Sequence, residues 1–426
     1  TLLLIFWSIN GSADHHAEAS KISANNLSDM VRVMASDEFE GRAPGTPGED
    51  KTVAYLITKM ERIGLTPGGA EGSWTQAVPM MRSEVKPSVK MSFSSADTVL
   101  TLAQGTSVSV DTATARTNIV AADVPVVFVG FGANAPEQDW DDYGEIDLTG
   151  KLAIFLVNDP DFAAEPQEAV SGRFGNRRMT YYGRWTYKFE EAARRGAFGA
   201  LVIHETEAAG YDWSVAAAGA GENISLANKD PQALPVTLQG WLHNDAAREL
   251  LAAAGHDLSA LRNAARQPEF EAFELEGIRF DADLEVDITT FYSQNVLGLL
   301  PGNERPDEII MASAHWDAYG IGAPDEQGRT VRAGANDDAL GSAGVLELAR
   351  VIKAQPVMAR SVLFAFWTAE EAGLVGSMAY AADPIFPIEK TVANFTLDIL
   401  QTAGAAKDVI LVGKGQSELE DDLARV

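Results

Sequence analysis

Three β-rich apolar runs in the last third of this chain each end on acidic or imidazole side chains, and that recurrence constrains the fold more than any other feature. Residues 308–314 run into His315-Trp-Asp317, residues 361–367 run into Glu370-Glu371, and residues 392–397 end at Asp398. Between the first two, residues 338–353 carry Leu340, Ala343, Leu346 and Val351 on the buried side of a helix. Alternating strands and helices imply an α/β fold with a mainly parallel sheet. The C-terminal strand ends then share one edge, where open α/β sheets place their ligands. The segment Gly334-Ala-Asn-Asp337-Asp338 falls at a helix start, where Asn and Asp cap free N–H groups. One histidine and several carboxylates are therefore expected to converge.

The rest of the chain supplies scaffold. Leu27, Met30, Val31 and Met34 follow helical spacing, as do Val53, Leu56, Ile57 and Met60, a helix ending at Gly64 with Pro67 beyond. Between them, residues 40–48 form a Gly/Pro loop, either a plain connection or a functional one. Short strands are expected within 89–117 and a buried one over 125–132. The middle alternates strand (151–157), helix (185–195), strand (197–203), short strand (235–238) and helix (245–254). This pattern fits an independent α/β module. Residues 295–300 return to strand. A chain of 426 residues has room for two or three folded units.

Charge and residue usage bound the chemistry. With 33 basic and 61 acidic side chains the net charge is −28, which repels phosphate backbones and argues against nucleic acid as a partner. There is no cysteine, so thiol nucleophiles, disulfides and Cys-ligated metals are excluded. Like charges at about 4 Å cost several kcal/mol at intermediate dielectric, so carboxylates gathered in one crevice call for a cation. An all-oxygen set would suit Mg²⁺ or Ca²⁺; an imidazole among carboxylates suits Zn²⁺. The same residues read equally well as helix caps and solvated loop charges.

Taken together, Ser313-Ala-His315-Trp-Asp317, Gly334 to Gly341, Thr368-Ala-Glu370-Glu371-Ala-Gly-Leu-Val-Gly376-Ser377 and Asn394-Phe-Thr-Leu-Asp398 resemble the co-catalytic di-zinc aminopeptidases of the MH metallopeptidase clan. Residues 35–48 resemble the opening of bacterial members, and the middle resembles the protease-associated (PA) domain that some members insert. The resemblance implies a three-layer catalytic domain, its mixed, mainly parallel sheet covered by helices on both faces, plus the smaller α/β insert. It implies these divisions: 21–118 and 276–426 catalytic, 119–275 PA-like. It also implies that Asp337 bridges two zinc ions, that His315 and Asp398 complete one, that Glu371 binds the other, and that Glu370 is the general base. Asp317 would orient the His315 ring. Peptide or protein N-termini would be the substrate.

The family's second metal takes a further histidine downstream of Asp398, and residues 399–426 contain none. Residues 418–426 read as a helix without a stop signal. The expectation is a sequence truncated at its C-terminus, binding metal weakly and turning over poorly. At the other end, apolar residues 2–7 followed by Gly11, Ser12 and Ala13 read as a signal-peptide remnant within 1–20, hence export to periplasm or medium. No run approaches the roughly 20 apolar residues of a membrane span. Rival readings are a binding protein that keeps the fold, a carboxypeptidase or a glutaminyl cyclase. His204-Glu205 is no zincin motif, because Ala208 stands where a second histidine is needed.

Overall fold

The computed structural model of the chain describes residues 21–87, 90–227, 235–325, 327–404, 406–407 and 417–425. The signal-peptide remnant expected within 1–20 lies outside them. The chain divides into two compact units, Thr1–Met80 with Ile224–Asn228 and Thr290–Ala406, and Met81–Asn223 with Lys229–Thr289 and Lys407–Val426. Among the described residues no helix is long and apolar enough to cross a membrane.

The first unit is built on helices α1 (Ala24–Met34) and α2 (Pro47–Ile63), the end of strand β1 (Phe273–Leu300), β2 (Arg305–His315), α3 (Leu340–Lys353), β3 (Arg360–Trp367), α4 (Val375–Ala382) and β4 (Thr391–Thr396). The strand order is β4-β2-β3-β1. β2 runs parallel to both β3 and β4, while β1 pairs antiparallel with β3 through Val296–Leu300. Strand alternation sorts β3 between two apolar layers. Val362, Phe364 and Phe366 face a cluster with Met30, Leu56, Met60, Ala343 and Leu346 of α1, α2 and α3. Leu363, Ala365 and Trp367 face the other way, toward Tyr380 of α4. Helices thus cover both faces of a mainly parallel sheet, as the strand and helix rhythm implies. Full burial of side chains such as Leu56 and Phe364, both 0% exposed, stabilises by about 1.5–3 kcal/mol each.

One local expectation needs correction here, and one open alternative narrows. The third helix begins at Leu340, not at 338: Asp337 (φ −119°, ψ 93°) and Asp338 (φ −131°, ψ 41°) are not helical, and the Asp338 carboxylate accepts the Gly341 N–H. The Gly/Pro loop is not plain connection, since Asp37–Arg42 forms a short helical turn that buries Phe39 and Arg42.

In the second unit, residues of Phe273–Leu300 pair antiparallel with Asn118–Gly130, followed by Leu152–Leu156, Gly199–Ile203 and Leu238–Leu242 in parallel and then Val108–Asp111 antiparallel. Leu152, Ile154 and Leu156 enter one apolar cluster while Ala153, Phe155 and Val157 enter the other. Helices Trp185–Arg194 and Asn244–Ala253 lie where helical patterns are expected. The short strand expected at 235–238 is instead Leu238–Leu242. A Cβ on Gly240 would overlap the Ser109 carbonyl of the neighbouring strand, so glycine is what permits the pairing. The two compact units divide at 80/81 and 289/290. Lys90–Ser94 and Val108–Asp111, expected with the catalytic part, pair inside the second unit, with residues 279–283 and 239–242.

Candidate metal centre

The C-terminal ends of β2, β3 and β4 deliver the acidic motifs to one edge of the first unit. His315 is the last residue of β2 and pairs with Trp367 of β3, so the segments that follow, 316–319 and 368–371, leave the sheet side by side. Asp398 lies two residues beyond β4. Asp337 arrives on the non-helical turn ahead of α3. One donor atom each from His315, Asp337 and Asp398 lies within 4.8 Å of the others, and among the described residues this is the group of His, Asp and Glu donors close enough to share an ion.

His315 forms the floor. Its side chain is 2% exposed, whereas the Asp337 and Asp398 carboxylates are 42% and 43% exposed. Its Nε2 lies 3.0 Å from Asp337 Oδ1, 3.7 Å from Glu370 Oε2 and 3.9 Å from Asp398 Oδ1. Its Nδ1 lies 3.2 Å from the Asp317 carbonyl and 3.4 Å from Asp317 Oδ1, so the ring is held on the side away from the three carboxylates. Burial opposes its charge, but the Asp317 hydrogen bond and the fields of Asp317, Glu370 and Asp338 outweigh it and push the imidazole up to about 10.

Asp317 does more than face the histidine. It is 1% exposed, and its two oxygens accept the backbone N–H groups of Glu370 (3.0 Å) and Glu371 (3.3 Å). One carboxylate thereby ties the turn after β2 to the turn after β3. Asp338, which no spacing in the sequence marks as part of the site, is fully buried: Oδ2 accepts the His315 N–H and Oδ1 the Gly341 N–H. Burial first, then the Asp398 charge, pushes it up to about 7. Behind the Glu370 turn, Asn295 accepts the Thr368 N–H and donates to the Gly376 carbonyl, fixing both ends of the segment that carries the two glutamates. These contacts join residues far apart in the chain through backbone groups, so no spacing in the sequence announces them.

The two glutamates differ. Burial raises Glu370, whose Oε2 faces the His315 ring. Glu371 is not in the close donor group; burial pushes it up to about 7 against a hydrogen bond from Tyr319. Tyr319 is 68% exposed and carries its hydroxyl to the same carboxylate. Imidazole plus carboxylates is a donor set that fits zinc, and carboxylates this close repel one another unless a cation lies among them. The residues present therefore fit a metal ion at His315, Asp337 and Asp398.

Residues 295–426 match the model of Peptidase family M28. Aminopeptidase NAALADL1 of Mus musculus is 34% identical over 113 residues, 25% of this chain and 14% of that protein. Aminopeptidase YwaD of Bacillus subtilis is 32% identical over 114 residues, 26% of this chain and 22% of that protein. The chain thus spans less than a quarter of the length of either relative. A solved aminopeptidase from Aneurinibacillus sp. strain AM-1 is 20% identical, with a TM-score of 0.43 over 89% of this chain and 71% of that one. The matched residues, 295–426, hold all six candidate site residues, His315, Asp317, Asp337, Glu370, Glu371 and Asp398, and over that stretch the chain is similar to peptidase family M28.

Proposed function

We propose that this chain carries the active site of an exported zinc aminopeptidase. The observation that carries the reading is the convergence of His315, Asp337 and Asp398 donor atoms within 4.8 Å, with Glu370 Oε2 beside them. His315, Asp337 and Asp398 would hold one zinc ion, with Asp337 shared by a second that Glu371 also ligates. The second ion needs a further imidazole, which residues 399–426 do not supply. Ions so held supply a Lewis acid and lower the pKa of a bound water. Glu370 takes the proton of the attacking water on its carboxylate and returns it to the departing amine. Its neighbour Glu371 would be kept from that role by the second ion. Asp317 holds His315 in orientation and, through the Glu370 N–H, holds the base near the same point.

Aminopeptidase is the favoured specificity because a surplus of carboxylates attracts a free N-terminal ammonium, and because two of the relatives compared bear that name. The second unit is read as the PA-type insert, and the apolar residues 2–7 ahead of small ones support export. Hydrolysis of a leucine-linked chromogenic amide, with and without a chelator, tests the reading. Release that the chelator abolishes and zinc restores is expected. Equal release with and without chelator overturns it.

A further inference from the structure

We propose that Arg42 is the positioning residue of the metal centre, its guanidinium joining the turn after His315 to the turn before Asp337 so that their donors meet at one ion. The inference rests on the reading of His315 and Asp337 as ligands. Arg42 lies in the loop between α1 and α2 and is 0% exposed. Its Nε donates to the Trp316 carbonyl (2.8 Å), between His315 and Asp317. Its Nη1 donates to the Ala333 carbonyl (2.8 Å) and its Nη2 to the Gly334 carbonyl (2.8 Å), just ahead of Asp337. Nη1 also reaches the Met34 carbonyl at the end of α1 (2.8 Å), which anchors the fork to the scaffold. In return the Arg42 carbonyl accepts the Ala318 N–H (3.3 Å).

A planar fork with five N–H groups can serve carbonyls on three separate segments; a lysine ammonium cannot span them. Gly334 completes the fit. Its φ is +52°, and a Cβ there would lie 2.7 Å from Arg42 Nη2, so any side chain would displace the guanidinium. Among the described residues no carboxylate oxygen forms an ion pair with Arg42, although Asp317, Asp338, Glu371 and Asp337 all act on it through their fields. The buried cation is therefore engaged by the backbone of the ligand-bearing turns and not by the ligands themselves.

That arrangement separates positioning from simple electrostatics. A permanent positive charge near a cation site weakens metal binding, so removing the charge alone should tighten it. Removing a residue that aligns the ligands should loosen it. Zinc affinity measured by competition with a chromogenic chelator, in wild-type protein and in R42K and R42M, decides between them. L56A, a core truncation between α2 and the sheet, serves as a control for lost stability. Both Arg42 variants are expected to bind zinc about 10–100-fold more weakly, with an altered visible spectrum of the Co²⁺ form, while L56A at a matched fall in Tm keeps wild-type affinity and spectrum. Unchanged or tighter binding in R42K and R42M, or an equal loss in L56A, overturns the inference. If R42M does not fold, R42K decides. If wild-type protein takes up no zinc, it is the proposed function that fails.

Discussion

Among the described residues each unit has one completely buried Lys or Arg, and the two cations are used differently. Arg42 in the first unit and Lys188 in the second are both 0% exposed, and both donate to backbone carbonyls rather than to carboxylates. Lys188 Nζ reaches the carbonyls of Phe131 (2.5 Å), Asn158 (3.2 Å) and Tyr182 (3.2 Å). Burial pulls Arg42 down to about 10 and Lys188 down to about 8. The difference lies in what the carbonyls belong to. Those around Arg42 flank His315 and precede Asp337; those around Lys188 belong to segments whose buried acids, Asp142 and Asp159, already accept hydrogen bonds from Ala133 and Trp140 and from Thr180. A buried charge can organise a reactive edge or brace a module, and its neighbours decide which.

These differences between the two units have measurable consequences. Substituting Glu370→Gln keeps the fold and the metal donors but removes the base, so kcat should fall about 10²–10⁴-fold with zinc content unchanged; a variant near wild-type rate would take the proton-transfer role away from Glu370. Lys188→Met leaves Asp142 and Asp159 without their buried cation and should destabilise the second unit by about 3–5 kcal/mol, read as faster amide exchange in Leu152–Leu156. Zinc affinity should not change, and a matching loss of affinity would erase the distinction between the two cations. Asp317→Asn replaces one acceptor by a donor facing the Glu370 and Glu371 N–H groups and should weaken zinc binding by about 10–100-fold.

A further effect is in pH. Lys188 has a folded pKa of about 8, below its ordinary 10.5, so the unfolded chain holds more protons between those values. Stability of the second unit should then rise as pH increases from 8 to 10.5, by up to about 1.4 kcal/mol per pH unit, and the rise should vanish in Lys188→Met. An opening free energy in Leu152–Leu156 that stays flat over this range in wild-type protein, once exchange is corrected for the rise of the intrinsic rate with pH, would show that burial does not penalise the Lys188 charge.

Much of the frame is legible in the sequence because it rests on periodicity. The alternation in β3 and the spacing in α1, α2 and α3 place side chains on faces whatever the distant contacts are. The acidic residues at strand ends are legible for the same reason: parallel strands bring their C-terminal ends to one edge. What the sequence hides is the wiring between backbone groups. Arg42 serves carbonyls 274 and 291 positions away, and every residue has a carbonyl, so nothing in residue type marks Trp316 or Ala333 as its partners. Asp317 is visible as a partner of His315 but not as the clamp on the Glu370 turn, and no neighbour in the sequence announces the close approach that Gly240 allows to a strand 130 residues earlier.

The most direct test of the central claim is the zinc content of the purified chain by mass spectrometry, with His315→Ala alongside. The account predicts zinc in the wild-type chain, up to about one per chain, and almost none in the variant, since the imidazole is the floor of the donor group. Absence of zinc from the wild-type chain, or equal zinc in both, would contradict it.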